Sequence, residues 1–118
     1  SVKSPIPYLG LSNGARAGLT GFVGGLARQV AKHNVTINGL MPGQFNTDRI
    51  ENLNKNKSKV ENKSKEQVRK ELESKNPTGR LGHIDEFGLA CAWICSEKSG
   101  YLVGQNILID GGAFNGTL

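Results

Sequence analysis

The sequence predicts an α/β fold with parallel strands, because two amphipathic helices alternate with two short apolar strands. The helices are predicted at residues 12–32 and 85–97, where apolar side chains recur at helical spacing. The strands are predicted at residues 35–41 and 106–110, and glycine-containing turns follow both. The 118 residues are enough for one domain. However, two strands do not complete a doubly wound sheet, so the chain is short of strands.

The charge is modestly basic, with 15 Lys and Arg against 10 Asp and Glu, a net +5. Residues 51–76 hold much of the excess in a lysine-rich run, which is typical of a solvated helix face. No aromatic residues alternate with these lysines, so we expect no nucleic-acid partner. No apolar stretch approaches the ~18 residues that span a bilayer, and we expect no membrane partner.

Two cysteines, Cys91 and Cys95, lie four apart and therefore share one helix face. Without further cysteines or paired histidines they make a poor zinc site, and no metal is expected. We expect buried free thiols in a reducing compartment, which favours a cytoplasmic protein.

The first predicted helix, Ser12–Lys32, has Ser12 as a plausible N-cap. It carries five interior glycines, each costing ~1 kcal/mol relative to alanine. We therefore expect a close neighbour on this helix, either within the chain or in another subunit. Alternatively, the glycines lie on a solvent-exposed face of the helix and contact nothing. The five are Gly14, Gly18, Gly21, Gly24 and Gly25.

We expect residues 51–63 to be mobile. Ser64 and Gln67 resemble a capping box, which predicts that a short helix begins there and covers residues 65–74. Because this region directly follows a turn, it could form a lid over a ligand. The alternative is a solvated insertion.

That turn is Pro42-Gly43, which ends the first strand because proline lacks an N–H and glycine permits positive φ. The residues that follow include four with polar side chains, Gln44, Asn46, Thr47 and Asp48. Ligands of open α/β sheets bind beyond the carboxyl ends of the strands. The turn is thus a candidate binding site, although it could equally be a turn and nothing more.

Several short motifs occur together in one order and spacing, and in these the chain resembles the C-terminal half of short-chain dehydrogenases/reductases. It looks closest to members of the 3-oxoacyl-[acyl-carrier-protein] reductase type. Residues 49–76 form the segment that varies with substrate in that family. The matching motifs are GLT at 18–20, LA at 26–27, NVTIN at 34–38, MPG at 41–43, TD at 47–48, PTGRLG at 77–82, DEF at 85–87 and GQNILIDGG at 104–112.

The resemblance implies that residues 1–118 are a single partial domain, the C-terminal part of a Rossmann-type doubly wound parallel sheet. It implies NAD or NADP as cofactor and hydride transfer between the nicotinamide and a small-molecule carbonyl or alcohol substrate. It also implies a homo-oligomer, a dimer or a tetramer. In the family, the backbone at the position of Phe45 and the hydroxyl at that of Thr47 contact the nicotinamide carboxamide, and Pro42 and Gly43 shape the turn.

Two departures accompany the resemblance. The glycine-rich phosphate loop of the family has no counterpart here, so we expect this chain to be part of a longer polypeptide. The family's Tyr-x-x-x-Lys pair falls on Ser12 and Arg16, which become the candidate catalytic residues. Arginine stays charged and cannot shuttle a proton, but it can hydrogen-bond the cofactor ribose or support an oxyanion. Three alternatives remain: Tyr8 serves as the acid, Ser12 is only an N-cap, or the chain is a non-catalytic, oligomer-forming module.

Overall fold

The computed structural model describes residues 1–117 and divides the chain into two units. The first unit comprises Ser1–Gly39 and Trp93–Ile107, and the second comprises Leu40–Ala92 and the chain from Leu108 onward. The helices are α1 (Gly10–Val30), α2 (Asp48–Glu61), α3 (Lys65–Glu73) and α4 (Ile84–Ile94), and the strands are β1 (Gly39–Pro42) and β2 (Asn106–Ile109).

The strands β1 and β2 pair in a two-stranded sheet, which confirms the predicted α/β class. Gly39 N–H donates to the Gln105 carbonyl at 2.8 Å, and Gly43 N–H donates to the Ile109 carbonyl at 2.8 Å. Donors and acceptors advance together along the chain, so the two strands are parallel.

Strand β1 is shorter than predicted, because residues 35–38 lie outside the strand and are hydrogen-bonded to the loop that precedes β2. Gly104 N–H donates to the Ile37 carbonyl at 2.9 Å. The Asn38 side chain donates to the Leu102 carbonyl at 2.7 Å and accepts from Gln105 N–H at 3.0 Å. The Asn38 side chain thus occupies the Gln105 N–H, which a longer ladder would have used.

Helix α1 begins at Gly10, with Leu9 as its N-cap and no side-chain cap bond. The predicted N-cap role of Ser12 is therefore wrong. The entry is fixed instead by Asn13, whose side chain accepts from Ile6 N–H at 3.2 Å and donates to the Ile6 carbonyl at 2.9 Å. At its other end the helix passes into a 3₁₀ turn, Ala31–His33, and then into left-handed Asn34 (φ 58°).

Within residues 1–117 no neighbour packs closely on the α1 glycines, so the predicted contact within the chain is not found, and a contact with another subunit stays a prediction. A Cβ placed on any of Gly14, Gly18, Gly21, Gly24 or Gly25 would meet nothing within 4 Å. The close approach is at Ala27, which is fully buried. Its Cβ would lie 3.6 Å from a Cβ on Gly104, a residue whose φ of +69° favours glycine.

Residues 48–61 form helix α2, so the predicted mobile segment at 51–63 is wrong. The capping box of α3 is confirmed: Gln67 N–H donates to Ser64 Oγ at 3.1 Å, and Ser64 N–H donates to Gln67 Oε1 at 2.9 Å. An ion-pair network joins α2 to α3, with Lys63 Nζ 2.9 Å from Glu61 Oε2 and 2.6 Å from Glu71 Oε1. The hydrogen bond that Lys63 donates to the Glu71 carboxylate, followed by the one to Glu61, raises the pKa of Lys63.

Cys91 lies in helix α4 and Cys95 directly follows it, and both thiols are free and exposed. The prediction that the two thiols are buried is wrong, because the side of the chain that carries them faces solvent. After α4, the buried Ser99 hydroxyl donates to the Ile94 carbonyl at 2.7 Å and closes the following turn.

Few apolar side chains are buried in residues 1–117, and many large ones are exposed. Within this part of the chain, no helix has both the length and the apolar character required to cross a membrane. The same residues contain no cluster of three or more His, Cys, Asp or Glu able to hold a metal ion. The buried apolar residues are Ala27, Val68, Leu81 and Ile94.

Candidate functional site

The turn after β1 brings Phe45 beside Gly82 in an isolated parallel bridge. Asn46 N–H donates to the Gly82 carbonyl at 2.9 Å, and Gly82 N–H donates to the Gln44 carbonyl at 3.0 Å. In this pattern the residues on either side of Phe45 make the bonds, and the main-chain groups of Phe45 itself point away from Gly82.

The N–H and carbonyl of Phe45 have no hydrogen-bond partner within residues 1–117. Phe45 is half-buried as a residue, and each main-chain polar group takes a partner from protein, water or ligand. These two groups are therefore a donor and an acceptor, side by side, available to a ligand beyond the end of β1.

The Phe45 ring is fixed by close packing on two sides. It meets the Phe87 ring edge to face, with 5.5 Å between centroids and an interplanar angle of 75°. A Cβ on Gly82 would lie 2.6 Å from the ring, so position 82 requires glycine here. The orientation of the Phe45 main chain follows from these constraints.

Pro42 and Gly43 end β1 as the sequence predicts. Pro42 is exposed, and Gly43 is half-buried against Asp110. Asp110 in turn shapes the next turn, since its two carboxylate oxygens accept from Gly112 N–H at 2.9 Å and Phe114 N–H at 2.8 Å. The end of β1 is thereby tied to the segment that follows β2.

Thr47 is the N-cap of α2, and its hydroxyl oxygen accepts from Ile50 N–H at 3.5 Å. The side chain is exposed, and the hydroxyl hydrogen can still be donated. A cap role and a ligand-binding role are thus compatible at this residue.

Arg80 and Glu86 form a bidentate ion pair next to the Phe45–Gly82 bridge. Arg80 Nη1 donates to Glu86 Oε2 at 2.8 Å, and Nη2 donates to Oε1 at 2.7 Å. Glu86 Oε2 also accepts from His83 N–H at 2.7 Å. The Arg80 hydrogen bond, followed by that from His83, lowers the pKa of the Glu86 carboxyl from 4.5 to about 2.

A small cleft of about 100 Å³ opens between the Phe45 turn and the segment around Asn76. Asn76 donates to the Asp110 carbonyl at 2.7 Å and accepts from the Thr78 hydroxyl at 2.7 Å. The cleft is lined by Gln44, Phe45, Asn76, Thr78, Arg80, Gly82, Glu86, Ile109, Asp110 and Gly111.

Ser12 and Arg16 lie one turn apart on α1, and Arg16 Nη1 donates to Ser12 Oγ. Both residues lie in the first unit, where Ser12 is half-buried and Arg16 is exposed. Tyr8 precedes the helix with φ 65°, and its side chain is fully exposed. The structure therefore pairs the two candidate catalytic residues with each other, and it gathers Pro42, Gly43, Phe45 and Thr47 in one turn.

In the sequence, Arg80 and Glu86 stand out only as parts of the family motifs at 77–82 and 85–87. An arginine six residues before a glutamate in the first turn of a helix is a weak signal. The pairing becomes visible only when the backbone from Leu81 to His83 bends between the two side chains.

Comparison with known proteins places the chain in a family. The family described as "Enoyl-(Acyl carrier protein) reductase" matches residues 2–113. The NADPH-dependent reductase BacG of Bacillus subtilis is 36% identical over 85 residues, which is 72% of this chain and 33% of that protein. The 3-oxoacyl-[acyl-carrier-protein] reductase FabG of Aquifex aeolicus is 34% identical over 99 residues, 84% of this chain and 36% of that protein.

The fold comparison agrees with the sequence comparison. The crystal structure of YwfH, an NADPH-dependent reductase involved in bacilysin biosynthesis, superposes with a TM-score of 0.86 at 29% identity. That match covers 98% of this chain and 44% of YwfH. The chain belongs to the short-chain dehydrogenase/reductase family, is 3-oxoacyl reductase-like, and has part of the Rossmann-type α/β fold. It spans about a third of the length of the two curated relatives.

Proposed function

We propose that the polypeptide carrying this chain is an NAD(P)-dependent oxidoreductase of the 3-oxoacyl reductase type. It transfers hydride between the nicotinamide and a small carbonyl or alcohol substrate. The observation that supports this most directly is the unpaired main chain of Phe45 at the end of β1. Relatives named as reductases, one of them NADPH-dependent, support the same activity and favour NADPH.

The residues of the turn fit the nicotinamide end of the cofactor. A primary carboxamide offers one acceptor oxygen and two N–H donors. The N–H and carbonyl of Phe45 are the complementary donor and acceptor, and the Thr47 hydroxyl adds a second donor nearby in sequence. Pro42 and Gly43 shape the turn that presents these groups. When bound, the cofactor supplies or accepts the hydride.

Ser12 and Arg16 are the residues that we assign to the substrate oxygen. Because Arg16 donates to the Ser12 oxygen, the hydroxyl hydrogen stays free to be donated to another acceptor. A guanidinium beside this hydroxyl favours negative charge developing on a carbonyl oxygen held there. Arg16 cannot supply the proton, since it stays charged, so the proton comes from another donor.

One observation favours a second candidate, a non-catalytic, oligomer-forming module: Ser12 and Arg16 stand where the family has tyrosine and lysine. Under either proposal we assign a homo-oligomer, because the α1 glycines face open space in this chain. The cytoplasmic location also stays a prediction.

The test is an amide-resolved NMR titration of the full-length polypeptide with NADPH and NADH. The control ligand is the adenosine half of the cofactor, which lacks nicotinamide. We expect the Phe45 and Thr47 amide resonances to shift with the whole cofactor and not with the control. If neither cofactor shifts them, the proposed function is wrong. If they shift but no 3-oxoacyl thioester is reduced, the non-catalytic module is the better account.

A further inference from the structure

The main chain of Phe45 is held in place by Gly82, and Gly82 is itself held on both sides. Gly82 makes both hydrogen bonds of the bridge, to Gln44 and to Asn46. Before it, the Leu81 carbonyl accepts from Arg80 Nη1 at 3.1 Å. After it, His83 N–H donates to Glu86 Oε2.

The Arg80–Glu86 pair therefore closes a ring of hydrogen bonds around the tripeptide Leu81–His83. The same guanidinium nitrogen, Nη1, reaches both the Leu81 carbonyl and Glu86 Oε2. A lysine has no planar fork and cannot reproduce this set of bonds. Leu81 is buried, which limits the ways in which the tripeptide can relax.

The ring and the packing of Phe45 end at the same turn of α4. Glu86 closes the hydrogen bonds around Gly82, and its neighbour Phe87 packs against the Phe45 ring. The first turn of α4 thus holds both the backbone and the side chain of Phe45 in position.

We infer that Arg80 and Glu86 are positioning residues, which fix Gly82 and through it the main chain of Phe45 for the nicotinamide carboxamide. This inference rests on the proposed cofactor role of Phe45. Exposed ion pairs contribute little to global stability, and both side chains are about half exposed. The pair should therefore act on the local geometry of the turn more than on the unfolding equilibrium.

The experiment compares Glu86→Gln and Arg80→Lys with a matched control, Asp85→Asn. Asp85 lies in the same first turn of α4, so the control removes the same charge without breaking the pair. The first readout needs no cofactor: amide hydrogen exchange at Gly82 and Asn46 in the full-length polypeptide. We expect exchange at these amides to be roughly tenfold faster in both variants, with the α3 amides and the control unchanged.

The second readout is NADPH binding by the same proteins. We expect the dissociation constant to rise roughly tenfold in Glu86→Gln and Arg80→Lys and to stay at the wild-type value in Asp85→Asn. A uniform acceleration of exchange across α3 and the Phe45 turn would mean a merely structural role and would overturn the inference. So would unchanged exchange at Gly82 and Asn46.

The two proposals fail in different ways. If wild-type protein shows no NADPH-dependent shift at Phe45, the proposed function is wrong, and this inference falls with it. If wild type shows that shift and Glu86→Gln shows the same shift at the same affinity, only the positioning role is wrong.

Discussion

Gly43 lies so close to Asp110 that a Cβ on the glycine would come within 2.6 Å of both Cα and Cβ of Asp110. The obstacle includes main-chain atoms, which cannot swing aside as a flexible side chain can. We predict that Gly43→Ala lowers the free energy of unfolding by about 1–3 kcal/mol through overpacking. Urea denaturation measures this, with Gly88→Ala on open α4 surface as the control. Equal stability of the two variants would contradict the prediction.

Four of the α1 glycines, 14, 18, 21 and 25, recur at helical spacing on one face, opposite the buried Ala27. If a second subunit packs there, Gly14→Ala should weaken self-association. Gly24→Ala lies off that face and should stabilise the helix by about 0.5–1 kcal/mol while leaving association unchanged. Sedimentation velocity and thermal melting separate the two effects. Identical sedimentation of both variants would exclude this face as the subunit contact.

Substitutions at Thr47 can separate its role as helix cap from its role as hydrogen-bond donor. Thr47→Ser keeps both, Thr47→Asp keeps a cap acceptor without a donor, and Thr47→Val loses both. We expect Val to cost about 1 kcal/mol of stability, whereas Asp should not. If the hydroxyl donates to the cofactor, both Asp and Val weaken NADPH binding in a fluorescence titration. Wild-type affinity in Thr47→Asp would leave Thr47 with the cap role alone.

Arg16 is predicted to interact with the cofactor ribose or with charge developing on the substrate. Arg16→Ala should then reduce turnover or cofactor affinity by roughly ten- to hundred-fold, since a charge-assisted hydrogen bond contributes ~1.5–3 kcal/mol. Arg16→Lys should retain part of this. The double variant Ser12→Tyr with Arg16→Lys, which restores the family pair, should raise carbonyl reduction. Unchanged kinetics and binding in Arg16→Ala would make Arg16 ordinary helix surface.

The stability of the turn at Gly82 should depend on pH through the protonation of the Glu86 carboxyl. Its folded pKa, about 2, lies below the ordinary 4.5, so its favourable interaction is fully present above 4.5. The interaction is lost as the pH falls from 4.5 through 2, because the carboxyl becomes protonated. Hydrogen exchange at Gly82 should therefore show a pH-dependent loss of protection in this window. Glu86→Gln should lack that component. A wild-type profile that matches the variant's would contradict the pKa shift.

Local signals predicted the local structure well. The capping box at Ser64 and Gln67 needs only residues within one turn, and the structure forms it as expected. The end of β1 at Pro42 likewise agrees with the turn that the sequence predicts at Pro42-Gly43. By contrast, the predicted start of that strand at Val35 is wrong, because the Asn38 side chain binds a loop more than 60 residues away in sequence.

Helix α2 was missed for a different reason. Its few apolar residues, such as Leu53 and Val60, are exposed and give no buried stripe to detect. The helix is supported by the Thr47 cap and by ion pairs to α3, including Lys57 with Glu71 at 3.7 Å. Such pairs depend on the arrangement of two helices, which residue periodicity does not report.

The candidate site was predicted only as far as the family resemblance extends. The resemblance named the turn at Phe45 and Thr47, and their cofactor roles remain predictions. It did not reveal that Gly82 turns the Phe45 main chain away from the bridge. That result requires the backbone geometry of the Arg80–His83 segment, which no single motif encodes.

The Asn38–Gly39 step has a consequence for the chemical lifetime of the protein. Asparagine followed by glycine deamidates when the glycine nitrogen attacks the side-chain carbonyl carbon and expels ammonia, and water then opens the resulting succinimide. Here the Gly39 nitrogen is bonded to the Gln105 carbonyl, and the Asn38 amide is bonded on both sides. The folded chain thus shields this bond, so deamidation at Asn38, read by mass spectrometry of stored samples, would record how often this part of the protein opens.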